Sequence, residues 1–327
     1  MVEKELISLC KRFCNIIAPS GYESSLANEI ATILQKHGYI INNDAIGNLV
    51  CVKQAPSNKA KKIAFIAHMD SAPIIINGID NNNIYWGSLS TWKHEKINNQ
   101  SITFLSGTTG IAHHNDGEKS SNTISDIVGH IEIGDVGVLT PFFQIEEDII
   151  SATFLDDRVG CAVLVDIAKK IENSPIELSF IFTAQEEIGN KGAYRIAQHF
   201  NFDEIYIIDT TRTLSQEYND PIYAIMGNGG CVKICDGFGF CSKELVKKVE
   251  NIAKTNKIPL QREVIFRGGS DICAFSRGCY NALFLGLSIP CINMHSRHEQ
   301  ICIKDMLAIK KTIIEILKSE QCTVREI

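Results

Sequence analysis

The sequence has no apolar segment long enough to cross a membrane. A spanning helix needs roughly 18 to 20 consecutive apolar residues, and the best candidate, 282–294, is interrupted by polar residues, glycine and proline. Residues 1–14 carry early acidic residues and amphipathic spacing, whereas a secretory signal has a basic region followed by an apolar core. We therefore expect neither membrane insertion nor export by that route.

Paired cysteine motifs and clusters of basic charge are also missing. The twelve cysteines include no CxxC pair, which predicts reduced, buried thiols and a cytoplasmic location. The net charge is −6 with a pI of 5.9, and Lys and Arg are scattered, so a nucleic-acid partner is not expected. The Walker pattern of a nucleotide-binding loop is absent as well.

Helical and apolar extended segments alternate through most of the chain. Helical spacing of apolar residues predicts helices at 4–17, 26–37, 158–171, 190–200, 242–256 and 304–318. Apolar runs predict strands at 48–53, 62–67, 177–182, 204–208 and 283–287. This alternation predicts an α/β fold, a mixed sheet flanked by helices on both faces.

The segment 71–150 has a different pattern. It consists of short β-branched runs broken by Asn, Gly and Ser clusters, without a helical period. We predict a small inserted β-rich domain here, with a role in oligomerisation, while 1–70 and 151–327 form the catalytic domain.

Polar residues that could bind metal follow several apolar runs. They are His68, Asp156, Glu187, Asp209 and His295. Ligands in open α/β sheets bind beyond the carboxyl ends of strands, where such residues meet. Imidazole and carboxylate groups bind divalent cations, and one carboxylate can bridge two of them. The set predicts a two-metal hydrolase, although each residue alone also has a structural explanation, such as helix capping by Asp156.

Glu186 and Glu187 are adjacent acids directly after a buried strand. Ionising both there is costly unless cations or hydrogen bonds compensate. One carboxylate could bind metal while the other acts as a general base. Asp70 lies two positions after His68 on an extended chain, where it could orient the imidazole or simply face solvent.

Two further segments remain open. His298 and Glu299 could line the site or lie on the surface. The turn Gly268-Gly269-Ser270-Asp271 could bring the backbone close to a ligand or only bend the chain.

Seven motifs together resemble one known family. APSGYE, AHMD, LDDRVG, QEEIG with a following KGA, IDTT, GGSD and MHS occur in this order along nearly the whole chain. They resemble the tetrahedral (TET) and glutamyl aminopeptidases, cytosolic enzymes with two metal ions that act on short peptides.

The resemblance implies a role for each candidate. Asp156 would bridge two ions, the first also bound by His68 and Asp209, the second by Glu187 and His295. Glu186 would be the general base, and Asp70 would orient His68. The resemblance also implies a β-barrel-like insert, dimers that build a hollow dodecamer, zinc or cobalt as the cations, and a strained or cis Asp156–Asp157 peptide.

Other functions fit parts of the pattern. A deacylase or carboxypeptidase would use the same two-metal chemistry. A glycoside hydrolase would need two carboxyl groups roughly 5 to 9.5 Å apart and no metal. A non-catalytic scaffold on the same fold is a third alternative.

Overall fold

The computed structural model describes residues 2–80, 83–90, 94–115, 121–213, 224–237, 239–266, 268–278 and 281–325. The helices in these ranges are α1 Val2–Cys14, α2 Ser24–Gln35, α3 Leu155–Ala168, α4 Lys191–His199, α5 Lys243–Thr255, α6 Ile272–Gly278 and α7 Ile303–Ser319, with a short 3-10 helix at His94–Ile97.

The strands fall into three groups along the chain. Before the barrel come β1 Ile40–Asn43, β2 Leu49–Lys53 and β3 Lys62–His68. The barrel strands are β4 Ile74–Ile79, β5 Ile84–Gly87, β6 Gln100–Phe104, β7 Thr109–Asn115, β8 Ser121–Val128 and β9 Val136–Leu139. The remaining strands are β10 Phe143–Glu146, β11 Ile149–Ala152, β12 Ile171–Asn173, β13 Glu177–Thr183, β14 Glu204–Arg212, β15 Gly230–Asp236, β16 Gly239–Phe240, β17 Leu260–Ile265, β18 Leu283–Ile292, β19 Glu299–Cys302 and β20 Thr323–Val324.

A large mixed sheet forms the centre of the fold, as predicted. Its main path runs β1-β2-β13-β3-β14-β18-β19-β11-β10, and β15 joins it through β18. The four strands β13, β3, β14 and β18 run parallel to one another, and β3 and β13 are buried along almost their whole length. Strands covered on both faces are expected to be continuously apolar, which explains the sequences of these two strands.

Aromatic side chains in register fix three of these parallel strands. Phe180, Phe65 and Tyr206 are paired across β13, β3 and β14, and their rings stack with centroids 5.7 and 5.2 Å apart. Such cross-strand pairs stabilise a sheet and set its register. Because β3 and β14 also carry candidate ligands, this packing holds those residues at the same level.

The insert is a closed six-stranded barrel formed by β4 to β9, and it has its own hydrophobic core. The prediction of an inserted β-barrel is therefore confirmed. Strand β10 lies within the predicted 71–150 segment and β11 crosses its end, but both strands belong to the large sheet, which they join through the pairing of β11 with β19. The barrel itself thus occupies the narrower range 74–139, and the domain boundaries at 71 and 150 stay predictions.

Candidate active site

Five candidate ligands converge at the carboxyl ends of the parallel strands. His68 ends β3, Asp209 lies in β14, and Glu187 follows β13. Asp156 lies at the start of α3, and His295 follows β18. Within the described residues two groups of potential ligand atoms form here, His68 with Asp156 and Asp209, and Asp156 with Glu187 and His295. We call the first group the sheet half and the second the loop half.

Asp156 is the residue that the two halves share. Its Oδ1 lies 3.2 Å from His68 Nε2, and its Oδ2 lies 3.2 Å from His295 Nε2. Burial disfavours the charged carboxylate, but the hydrogen bonds of His295 and His68 outweigh it and hold the pKa of Asp156 well below its usual value. The Asp156–Asp157 peptide is cis, as the family resemblance implied.

The rest of the sheet half stands on two adjacent strands. Ile207 pairs with Ile66 between β14 and β3, so Asp209 and His68, two residues further on, lie side by side. Asp209 Oδ1 is 3.8 Å from His68 Nε2. Burial, followed by the charge of Asp156, raises the pKa of Asp209 well above its usual value.

The rest of the loop half stands on two loops. His295 Nε2 lies 3.5 Å from Glu187 Oε2, and the His295 side chain is 21% exposed, against 3% for His68. Burial lowers the pKa of His295, but the charges of Glu187 and Asp156 outweigh burial and raise this pKa to about 9.

The predicted acid pair lies beside both halves. Glu186 lines the same cleft as the five ligands, and its Oε1 accepts a hydrogen bond from Asn190 Nδ2 at 2.8 Å. Burial, with the charges of Asp209 and Asp271 adding to it, raises the pKa of Glu186 well above its usual value. A carboxyl group with a raised pKa suits proton transfer near neutral pH.

Asp70 supports the turn that carries this acid pair. Its Oδ1 and Oδ2 accept hydrogen bonds from the backbone N–H groups of Glu186 and Glu187 at 2.9 and 3.1 Å. Ser20 Oγ donates to Asp70 Oδ2 at 2.6 Å. Asp70 Oδ1 also lies 3.5 Å from His68 Nδ1, longer than a normal hydrogen bond. The Asp70 carboxylate therefore binds the backbone that carries the acid pair and also lies near His68. Its role in orienting His68 stays a prediction.

Glu299 and His298, whose positions the sequence left open, lie in different surroundings. Glu299 is 3% exposed, and its two oxygens accept the N–H groups of Asp156 at 3.1 Å and His295 at 2.7 Å. His298 is exposed, and its ring lies against Phe142. Glu299 is thus a structural support of the site, whereas His298 points away from it.

The glycine turn at 268–271 forms part of the cleft wall. Gly268 and Gly269 line the cleft, which has a volume of about 370 Å³. Asp271 Oδ2 accepts a hydrogen bond from Thr183 Oγ1 at 2.5 Å, and its Oδ1 accepts one from Asn190 Nδ2 at 3.3 Å. The turn therefore both bends the chain and places backbone at the cleft.

The sequence reasoning missed a buried lysine in the same wall. Lys233 of β15 is 2% exposed, and its Nζ lies 3.1 Å from Asp236 Oδ2 and 3.4 Å from Glu263 Oε2. Its aliphatic stem occupies the space that a Cβ at Gly286 would need. A charged residue inside the apolar run GCVKICD was the available signal.

The donor set fits a pair of divalent cations. The Asp156 carboxylate lies within 4.8 Å of a carboxylate oxygen of Asp209 and of one of Glu187, and buried like charges are unfavourable without compensation. Two imidazoles and three carboxylates supply ligands that zinc, cobalt and manganese accept. Asp156 belongs to both groups of potential ligand atoms, so it is the residue that would contact both ions of such a pair.

Known proteins resemble the chain over almost its full length. Residues 47–312 match the family model described as M42 glutamyl aminopeptidase. A protein of Acetivibrio thermocellus named as an aminopeptidase is 27% identical, covering 97% of this chain and 100% of the relative. The TET1 peptidase of Pyrococcus horikoshii, which can assemble into a tetrahedron or a large octahedral shell, is 26% identical with a TM-score of 0.83, covering 95% of this chain and 99% of that one. An aminopeptidase from Desulfurococcus kamchatkensis shares the fold with a TM-score of 0.89 at 22% identity, covering 97% and 95%.

Proposed function

The chain is a peptide hydrolase that belongs to the M42 glutamyl aminopeptidase family, and from this premise we propose that it removes N-terminal residues from short peptides with two divalent cations. The observation that carries the proposal is the pair of ligand groups joined at Asp156, with the Glu186 carboxyl in the same cleft. His68 and Asp209 would hold one ion, Glu187 and His295 would hold the other, and Asp156 would contact both.

The chain's own residues supply the proton transfer. When bound, a pair of divalent cations provides Lewis-acid activation of water and of the scissile carbonyl. Glu186 accepts the proton of the attacking water at its carboxylate and returns it to the leaving amine. The hydrogen bond from Asn190 Nδ2 to Glu186 Oε1 fixes the side chain for this transfer, and the backbone contacts of Asp70 fix the turn beneath it.

Replacing the proposed base tests the mechanism. Glu186→Gln keeps the size of the side chain but cannot accept a proton, so kcat should fall by about 10²- to 10⁴-fold while the metal content stays at two ions per chain. Glu177→Gln is a matched control, because Glu177 begins the strand that leads to Glu186 and lies at its opposite end. Metal analysis and a peptidase assay give both readings, and retained hydrolysis by Glu186→Gln would contradict the assignment.

A peptide panel tests the reaction class. Metal-free enzyme should regain activity on free-amine peptides when zinc or cobalt is added back, and it should leave N-blocked peptides intact. Cleavage of N-blocked peptides would favour a deacylase, and release of C-terminal residues would favour a carboxypeptidase. Chelator-insensitive cleavage of glycans would support the glycosidase alternative instead.

We also propose assembly through dimers into a dodecamer in the cytoplasm. The dodecameric TET1 structure supports the assembly, at 26% identity over 95% of this chain. Apolar side chains on the barrel, Leu89, Val128 and Ile133, are 65 to 72% exposed, as the side chains of an interface are before assembly.

The eleven described cysteines are free and buried, which suits a reducing compartment such as the cytoplasm. None of the described helices is long and apolar enough to cross a membrane. Light scattering of the purified chain measures the assembly directly.

A further inference from the structure

We propose that the barrel positions the loop half of the metal centre through Ser90 and Lys96, and thereby sets the affinity of that half for its ion. This inference rests on the proposed function, because it concerns the same ions. It assigns to the barrel a part in building the metal site.

Ser90 contacts a candidate ligand directly. It follows β5 of the barrel, is 9% exposed, and donates from Oγ to Glu187 Oε2 at 3.2 Å. The same carboxylate oxygen lies 3.5 Å from His295 Nε2. A hydrogen bond to a metal-binding carboxylate restricts its rotation and tunes its affinity for the ion. Ser90 therefore holds the oxygen of Glu187 that faces the other ligand of this half.

Lys96 holds the loop that carries His295. Its Nζ donates to the carbonyl oxygen of Met294 at 2.9 Å, one residue before the histidine. The neighbouring Ile97 is fully buried in the barrel core, so the backbone at Lys96 is anchored. His295 has a left-handed φ of 59°, a conformation that non-glycine residues adopt only when their surroundings hold them.

The sheet half has different support. In the described ranges, the hydrogen bonds and ion pairs of the His68 and Asp209 side chains involve Asp70, Asp156 and backbone of β14, all outside the barrel. A void of about 10 Å³ is bordered by Leu139 of β9, by Glu187 and His295, and by the shared Asp156. The hydrogen bonds of Ser90 and Lys96 reach the loop half, so changes in these two residues should affect that half and not the other.

Stepwise metal titration tests the inference. Metal-free protein is titrated with Zn²⁺ in competition with a chromophoric chelator, and the step lost in His295→Ala identifies the loop half. Ser90→Ala should weaken that step by about 10- to 100-fold and leave the other step unchanged. Ser90→Thr keeps the hydroxyl and should restore wild-type affinity. Lys96→Met should weaken the same step by a smaller factor, since its contact is to the backbone beside the ligand.

A second barrel serine is the matched control. Ser101 accepts a hydrogen bond from Thr140 Oγ1 at 2.9 Å within the barrel, so Ser101→Ala should leave both steps unchanged. The inference is overturned if Ser90→Ala and Lys96→Met both bind Zn²⁺ as the wild type does, or if they weaken both steps equally. A wild type that binds fewer than two ions would overturn the proposed function itself, which separates the two failures.

Discussion

The two halves of the candidate metal centre share Asp156 but are held in place in different ways. In the sheet half, His68 and Asp209 stand on adjacent parallel strands whose register is fixed by stacked aromatic rings. In the loop half, Glu187 and His295 stand on loops and are supported from outside, by the barrel, by Glu299 and by Asp70. A strand places a ligand through its own backbone pairing, whereas a loop needs contacts from several directions, so the loop half depends on more of the molecule.

Removing the shared carboxylate should have the largest effect. Asp156→Asn keeps the shape of the side chain but loses the negative charge that faces His68 and His295, so both ions should be lost and turnover should fall below detection. Metal analysis after desalting, together with the peptidase assay, measures this result. A variant that kept one ion at wild-type affinity would show that Asp156 serves a single half.

A change at Asp70 should affect both halves more moderately. Asp70→Asn leaves one acceptor oxygen where two now receive the N–H groups of Glu186 and Glu187, and it removes the charge beside His68. Both titration steps should weaken by about 10- to 100-fold, in contrast to Ser90→Ala. Ser20→Ala removes only one donor to Asp70 and should have a smaller effect. If Asp70→Asn weakened one step alone, Asp70 would not link the halves.

The sequence marks the candidate ligands of both halves for a physical reason. An apolar run that ends in a polar residue marks both the strand and the ligand, as in the runs before His68 and Asp209. The helices also matched closely, with the predicted 242–256 found as α5 Lys243–Thr255. A local pattern that sets secondary structure also places any ligand at the end of that element.

The supports of the loop half left no such local signal. Ser90 and Lys96 lie about 100 and 200 residues from the residues they contact, and a serine or a lysine in a polar segment is unremarkable by sequence. The pairing of β11 with β19 likewise joins segments far apart in the chain, so β10 and β11 looked like parts of the insert. Which segments pair depends on tertiary packing, which periodicity does not encode.

A buried glutamate outside the barrel, Glu23, also supports the turn that carries the acid pair. Glu23 Oε1 accepts the N–H of Gln185 at 3.0 Å, the residue before the acid pair, and Glu23 is 3% exposed. Burial, followed by the charge of Asp70, raises the pKa of Glu23 from its ordinary value of 4.5 to about 7. A raised carboxyl pKa means that the folded protein binds the proton more tightly than the unfolded chain does.

Glu23 therefore lowers the free energy of unfolding as the pH rises from about 4.5 to about 7, and its effect is constant outside that window. Glu23→Gln keeps an acceptor for Gln185 and removes the titration, so metal-free variant and wild type should have similar stability at pH 4. At pH 8 the variant should be more stable by on the order of 3 kcal/mol. Urea unfolding at both pH values measures the difference. If variant and wild type differ in free energy of unfolding by the same amount at pH 4 and pH 8, ionisation of Glu23 does not destabilise the folded protein. The burial of this acid would then have no effect on the turn that carries Glu187.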